Sequence, residues 1–128
     1  MSTILIIDDN EDYRAGLVEV LALETHTTLE AENGLIGLQM IHEYSPNLIL
    51  CDVDMPVMNG FEVLRTVKAD PIHAKIPFLI ITGHEDERML KTSRDLGVEA
   101  YLTKPVAVPE FLSAIDHFLK VEDPTLLE

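Results

Sequence analysis

Five short apolar runs punctuate the chain, and each stops at polar residues before an amphipathic stretch begins. The first, Thr3–Ile7, is rich in β-branched residues and ends at Asp8, Asp9 and Asn10, which can cap a helix carrying Glu11 and Asp12 in its first turn. Tyr13, Leu17, Val20, Leu21 and Glu24 then follow helical spacing, so the stripe from Tyr13 to Leu21 is expected to face a sheet. Thr27–Ala31 reads as a second strand, and its more polar character predicts a sheet edge. Asn33-Gly34 turns the chain into a helix through Leu35, Leu38, Ile41 and His42. Residues 47–51 give the clearest strand, because Leu48-Ile49-Leu50-Cys51 is continuously apolar and then halts at Asp52.

Asn59 with Glu62 resembles a capping box, with Phe61, Leu64 and Val67 at helical spacing before the break at Asp70-Pro71. Pro77 suits the first position of a strand through Phe78-Leu79-Ile80-Ile81, ending at Thr82. Glu85, Asp86 and Glu87 fit the start of the next helix, Lys91 and Arg94 its end, and Gly97 a left-handed stop. A fifth strand is expected over 99–103. Pro109 fits the first turn of a last helix whose buried stripe is Phe111, Leu112, Ile115, Phe118 and Leu119. Five strands alternating with five helices predict an α/β fold: an open, doubly wound parallel sheet with right-handed crossovers and helices on both faces.

With 128 residues, 47% of them hydrophobic, the chain has enough for one core, and one domain over 1–120 is expected, with a Pro124-containing tail or linker over 121–128. The net charge of −14 argues against nucleic acid or anionic membrane as a direct partner and favours a divalent cation. The single cysteine, Cys51, excludes an internal disulfide and a thiolate zinc site; its place on a central strand marks it as a small core residue rather than a redox sensor. No charged, then apolar, leader-like segment opens the chain, and no apolar run nears the ~20 residues that cross a bilayer. A cytoplasmic protein without membrane insertion is the resulting expectation.

Polar residues recur where four strands end: Asp8 and Asp9 after the first, Asp52 after the third, Thr82 after the fourth, Lys104 after the fifth. Ligands of doubly wound sheets bind at that edge. Three carboxylates in one crevice would repel by about 3 kcal/mol per pair at ~5 Å and an effective dielectric of ~20, so a cation is needed, and magnesium suits oxygen ligands. Lys104 supplies a second positive charge and Thr82 a hydroxyl donor, so Asp52 can attack a phosphoryl donor in line and hold the group as an acyl phosphate. No nucleophilic triad, Walker A motif or GxGxxG is present.

Asp8-Asp9, Asp52 within Cys51-Asp52-Val53-Asp54-Met55-Pro56-Val57-Met58-Asn59-Gly60, Thr82-Gly83 and Lys104-Pro105 together resemble the response-regulator receiver domains, a chemotaxis-regulator-like superfamily, over about residues 3–119. The resemblance implies a flavodoxin-like strand order 2-1-3-4-5. It implies Asp52 as phosphoacceptor; magnesium held by Asp9, Asp52 and the Asp54 carbonyl, with Asp8 acting through water; and Thr82 and Lys104 on the phosphoryl group. It further implies a switch in which Thr82 shifts and Tyr101 turns inward, and an output surface over 89–104 and the exposed face of 110–120. A histidine kinase or histidine phosphotransfer protein would be the donor. A downstream effector domain or protein would read the switch, and the output face can also serve a homodimer. On this reading the chain is a phosphoacceptor with self-phosphorylation and self-dephosphorylation chemistry, not an enzyme.

Asp54 either adds negative charge at the crevice mouth, slowing small anionic donors, or is a solvated loop carboxylate. His84 either orders the hydrolytic water or caps the next helix. Tyr101 has a bland reading as a packed aromatic, and Lys104-Pro105 is a candidate cis bond. Two rival functions remain: a haloacid-dehalogenase-like phosphatase, whose DxD loop Asp52-Val53-Asp54 imitates, and a receiver-shaped interaction module independent of phosphorylation. The acidic pair preceding Asp52 and the short chain count against the first, the complete polar set against the second.

Overall fold

The computed structural model describes residues 2–84 and 86–122, with side chains through 120. Its elements alternate as expected: β1 (Thr3–Ile7), α1 (Glu11–Leu23), β2 (Thr27–Ala31), α2 (Gly34–Tyr44), β3 (Leu48–Cys51), α3 (Gly60–Ala69), β4 (Phe78–Thr82), α4 (Glu87–Asp95), β5 (Ala100–Thr103) and α5 (Val108–Glu122). The strands pair in parallel in the order β2-β1-β3-β4-β5, the flavodoxin-like arrangement, with β2 at an edge. Glu85, expected in the first turn of α4, and the tail over 123–128 lie outside the described residues; α5 runs to Glu122, past the expected boundary at 120.

Side-chain alternation sends each strand's residues to two faces, which makes two cores. Leu5, Ile7, Ile49, Cys51, Phe78 and Ile80 pack toward α2 and α3 with Ile41, Val63, Leu64 and Val67. Ile4, Ile6, Leu48, Leu50, Leu79 and Ile81 pack toward α1 and α5 with Leu17, Leu21, Phe111 and Ile115. Burying a side chain of this kind contributes about 1.5–3 kcal/mol. The central strands β1, β3 and β4 are thereby fixed in register, and so are the residues that follow them.

Caps form where the sequence places them. Asn10 accepts from the Tyr13 N–H, Asn33 from Ile36, and Asn59 with Glu62 completes a reciprocal capping box. Asp86 caps α4 through the Arg88 N–H, so His84 is not its cap. Gly97 has φ +92°, the left-handed stop expected after α4, and the Lys104–Pro105 bond is cis.

The buried face of α2 is built largely from small residues. Gly34, Gly37 and Ile41 are its buried residues, whereas Leu35 is 46% exposed and His42 faces outward. A Cβ on Gly37 would lie 2.5 Å from Ile7 Cδ1, and one on Gly34 2.6 Å from Val63 Cγ2. The helix therefore seats its smallest residues against β1 and α3. Strands β3 and β5 begin one residue later than expected, and the residues just before them, Asn47 and Glu99, add side-chain pins: Asn47 Oδ1 accepts from the Thr3 N–H at 2.8 Å, and Glu99 pairs with Lys68.

Candidate functional site

The register of the central strands brings their last residues to one rim. Ile7 pairs with Cys51 and Thr82 with Thr103, so Asp8, Asp52 and Lys104 all emerge at the carboxyl edge. The Lys104 N–H donates to the Thr82 carbonyl at 2.8 Å, tying the fifth strand's exit to the fourth.

Lys104 Nζ bridges the crevice, 2.9 Å from Asp8 Oδ2 and 3.1 Å from Asp52 Oδ2. Its ammonium also lies 4.2 Å from the centroid of the Tyr13 ring, a cation–π contact across the mouth of α1. Burial pulls the Lys104 pKa down, but hydrogen bonds and charge from Asp8 and Asp52 outweigh it and hold the ammonium above its ordinary value.

Asp52 is 9% exposed and Asp8 3%. The other Asp52 oxygen, Oδ1, accepts from the Val53 N–H at 2.7 Å, which fixes the plane of the carboxylate. Asp8 Oδ1 accepts from the Asn10 N–H at 2.9 Å. Burial raises the Asp8 pKa despite the opposing Lys104, the expected behaviour of a carboxylate short of positive charge.

Asp9 is solvent-exposed, yet one oxygen each from Asp8, Asp9 and Asp52 fall within 4.8 Å of one another. This all-oxygen donor set fits a hard divalent cation such as magnesium better than zinc or copper. The Thr82 side chain is fully buried, and among the described residues its hydroxyl has no hydrogen-bond partner. An orphaned hydroxyl at this rim is free to donate to an oxygen-rich ligand, which a satisfied one could not do. Cys51 is a buried core residue whose thiol donates to the Asp52 carbonyl at 3.2 Å; burial drives its pKa well up, which suits the core reading.

Asp54 stands apart from the acidic trio. Its carboxylate is exposed and hydrogen-bonded to His84 Nε2, while the Tyr101 hydroxyl donates to the His84 carbonyl at 2.9 Å. The loops after β3 and β4 are thus latched together beside the crevice. Tyr101 is half-buried; burial raises its pKa, with the negative charges of Asp86, Asp52 and Asp54 adding to the effect.

Three supporting residues escape sequence reasoning. Arg14 Nη1 donates to the Asp8 carbonyl at 2.7 Å and its Nε to Glu30, holding the first acidic loop. Tyr13 floors Lys104 instead of merely packing on the sheet. Gly60 lets the Asp52 carbonyl approach so closely that a Cβ there would sit 2.2 Å from it. Only Gly60 leaves a trace in the sequence, as the glycine that follows the cap residue Asn59.

Residues 4–116 match the family described as response regulator receiver domain. A polar-differentiation response regulator, DivK, from Brucella anthropi is 31% identical over 117 residues, covering 91% of this chain and 95% of the relative. A CheY-like response regulator receiver domain protein from Methanospirillum hungatei superimposes with TM-score 0.90 at 26% identity, over 95% of this chain and 96% of its own. The Mn(2+)-bound form of response regulator Rcp1 superimposes with TM-score 0.79 at 28% identity, over 94% and 93%.

Proposed function

Because this chain belongs to the response regulator receiver domain family of two-component signalling, we propose that it is a phosphoryl-accepting switch in which Asp52 takes a phosphoryl group from a phosphohistidine donor. The observation that carries the reading is Lys104 Nζ shared between Asp8 and Asp52, at the same strand edge as a buried Thr82 hydroxyl that has no partner among the described residues.

Asp52 is held for attack by the Val53 N–H on one oxygen and by Lys104 on the other. A carboxylate oxygen forms the new bond to phosphorus while the bond to the donor's imidazole nitrogen breaks, leaving an acyl phosphate on Asp52. Lys104 then faces the incoming negative charge, and the Thr82 hydroxyl donates to a phosphoryl oxygen. Asp8, Asp9, Asp52 and the Asp54 backbone carbonyl would hold magnesium, which when bound would offset the charge gathered on the phosphoryl oxygens. That the similar response regulator Rcp1 has a Mn(2+)-bound form supports a divalent ion as the partner of this chain. Hydrolysis returns Asp52 to the free carboxylate.

Engaging the phosphoryl group draws Thr82 toward the crevice, and Tyr101 then leaves the His84 carbonyl and turns inward. This redistributes two existing conformations rather than making a new fold. The altered face comprises α4, β5 and the exposed side of α5, where an effector protein or domain, or a second copy of the chain, reads the state. A cytoplasmic location suits a donor and an effector of these kinds; separately, no helix among the described residues is long and apolar enough to cross a membrane.

A phosphorylated histidine donor provides the test against the phosphatase alternative. Stoichiometric transfer to the chain, followed by slow loss, supports the switch; continuous turnover of a phosphomonoester would instead favour an aspartate-nucleophile hydrolase.

A further inference from the structure

At the opposite rim, where the strands begin, three metal-ligating side chains from separate segments converge. His42 stands in the last turn of α2, Asp70 is the C-cap residue of α3, and His73 lies in the turn leading to β4. One donor atom from each lies within 4.8 Å of the others.

Local backbone chemistry builds the pocket. Asp70 Oδ1 accepts from the Ile72 N–H at 2.9 Å, and its carbonyl accepts from the N–H groups of His73 and Ala74 at 3.0 and 2.8 Å. The closed turn folds the His73 imidazole back onto the carboxylate, with Nδ1 2.7 Å from Asp70 Oδ2. His73 is only 4% exposed, and its Nε2 meets the Ser45 hydroxyl at 3.4 Å, long for a hydrogen bond. The His42 ring stands edge-on to it, centroids 5.2 Å apart.

A turn clamp needs only Asp70 and His73. The third group, His42, arrives from a different helix and adds a second imidazole to the same small volume.

We infer that His42, Asp70 and His73 form a second cation site, suited to a borderline divalent transition ion such as zinc and separate from the phosphoacceptor crevice. Two imidazoles and one carboxylate match zinc, whereas magnesium and calcium select oxygen donors. Bonds of about 2.0–2.1 Å in a tetrahedral site set donor atoms about 3.3 Å apart. The three donors lie no more than 4.8 Å apart, and a change of rotamer by the exposed His42 at the end of its helix brings its ring nitrogen to that spacing. Water completes the fourth position. The bound ion clips α2 to the α3–β4 turn and raises stability in proportion to its occupancy.

The test is calorimetric titration of zinc chloride into the full chain in excess magnesium, with the imidazole nitrogens followed by NMR. One equivalent should bind, shifting the ring signals of His42 and His73 and leaving His84 in place. His42→Ala, a solvent-facing change that spares the fold, should weaken binding by about tenfold or more, the loss typical when even an outer partner of a metal site is removed. Asp52→Asn should leave zinc affinity unchanged. Absence of saturable uptake, equal affinity in His42→Ala, or binding that disappears with Asp52→Asn would each overturn the assignment.

Discussion

Lys104 Nζ sits 3.1 Å from Asp52 Oδ2, although 52 residues separate the two in the chain. The same ammonium is 2.9 Å from Asp8, so one lysine is shared between two buried carboxylates that a divalent cation would also seek. Ammonium and cation therefore compete for negative charge. Lys104→Met should bind magnesium more tightly, by roughly tenfold if about 1.4 kcal/mol of repulsion is relieved, while accepting phosphoryl groups more slowly. Magnesium titration by intrinsic tyrosine fluorescence, beside acetyl-phosphate kinetics, checks both directions.

The Asp54–His84 contact joins the loops that follow β3 and β4, and both side chains are exposed. Its worth to folding should be within about 1 kcal/mol by double-mutant cycle. Its effect on chemistry should be larger. Asp54→Asn removes a negative charge near the path of an anionic donor and should accelerate labelling by acetyl phosphate; His84→Ala frees the carboxylate and should slow it. If the latch also shields the water that attacks the acyl phosphate, His84→Ala will shorten the phosphorylated half-life.

How far the sequence reveals this arrangement depends on what each residue contacts. Buried parallel strands read as uninterrupted apolar runs, so β1, β3 and β4 were legible, and the polar residue ending each located Asp8, Asp52 and Thr82 at the rim. The part of α2 that packs closest was not, because Gly34 and Gly37 pack by lacking a side chain and carry no hydrophobic signal. Asn47 and Glu99 looked like strand residues but serve through their side chains. The Tyr13–Lys104 and Asp54–His84 contacts depend on loop paths between distant segments, which periodicity does not encode.

Two glycines should respond oppositely to alanine. At Gly60 the new Cβ would meet the Asp52 carbonyl at 2.2 Å, so Gly60→Ala should destabilise by about 1–3 kcal/mol or more and displace the phosphoacceptor loop. At Gly16, inside α1, nothing lies within 4 Å of the added methyl. Gly16→Ala should therefore stabilise by about 0.5–1 kcal/mol. Urea unfolding of both variants makes the comparison.

Asp70 has a pH signature. Its carboxyl is depressed in the folded protein, chiefly by His73, so its contribution is present above the unfolded-state pKa and is lost as pH falls through the folded one. In metal-free buffer, Asp70→Asn should be less stable than wild type near neutrality, and the gap should close as pH drops through about 4 and below. Unfolding midpoints measured across that window give the answer; a gap constant with pH would assign the loss to something other than the charge.

Intact mass after incubation with acetyl phosphate and magnesium bears most directly on the phosphoacceptor role of Asp52. One phosphoryl group should add to the wild-type chain, stable in acid and labile in base, and none to Asp52→Asn. An adduct of the same size and lability on Asp52→Asn, or an unmodified wild type under conditions that keep it folded, would contradict the account.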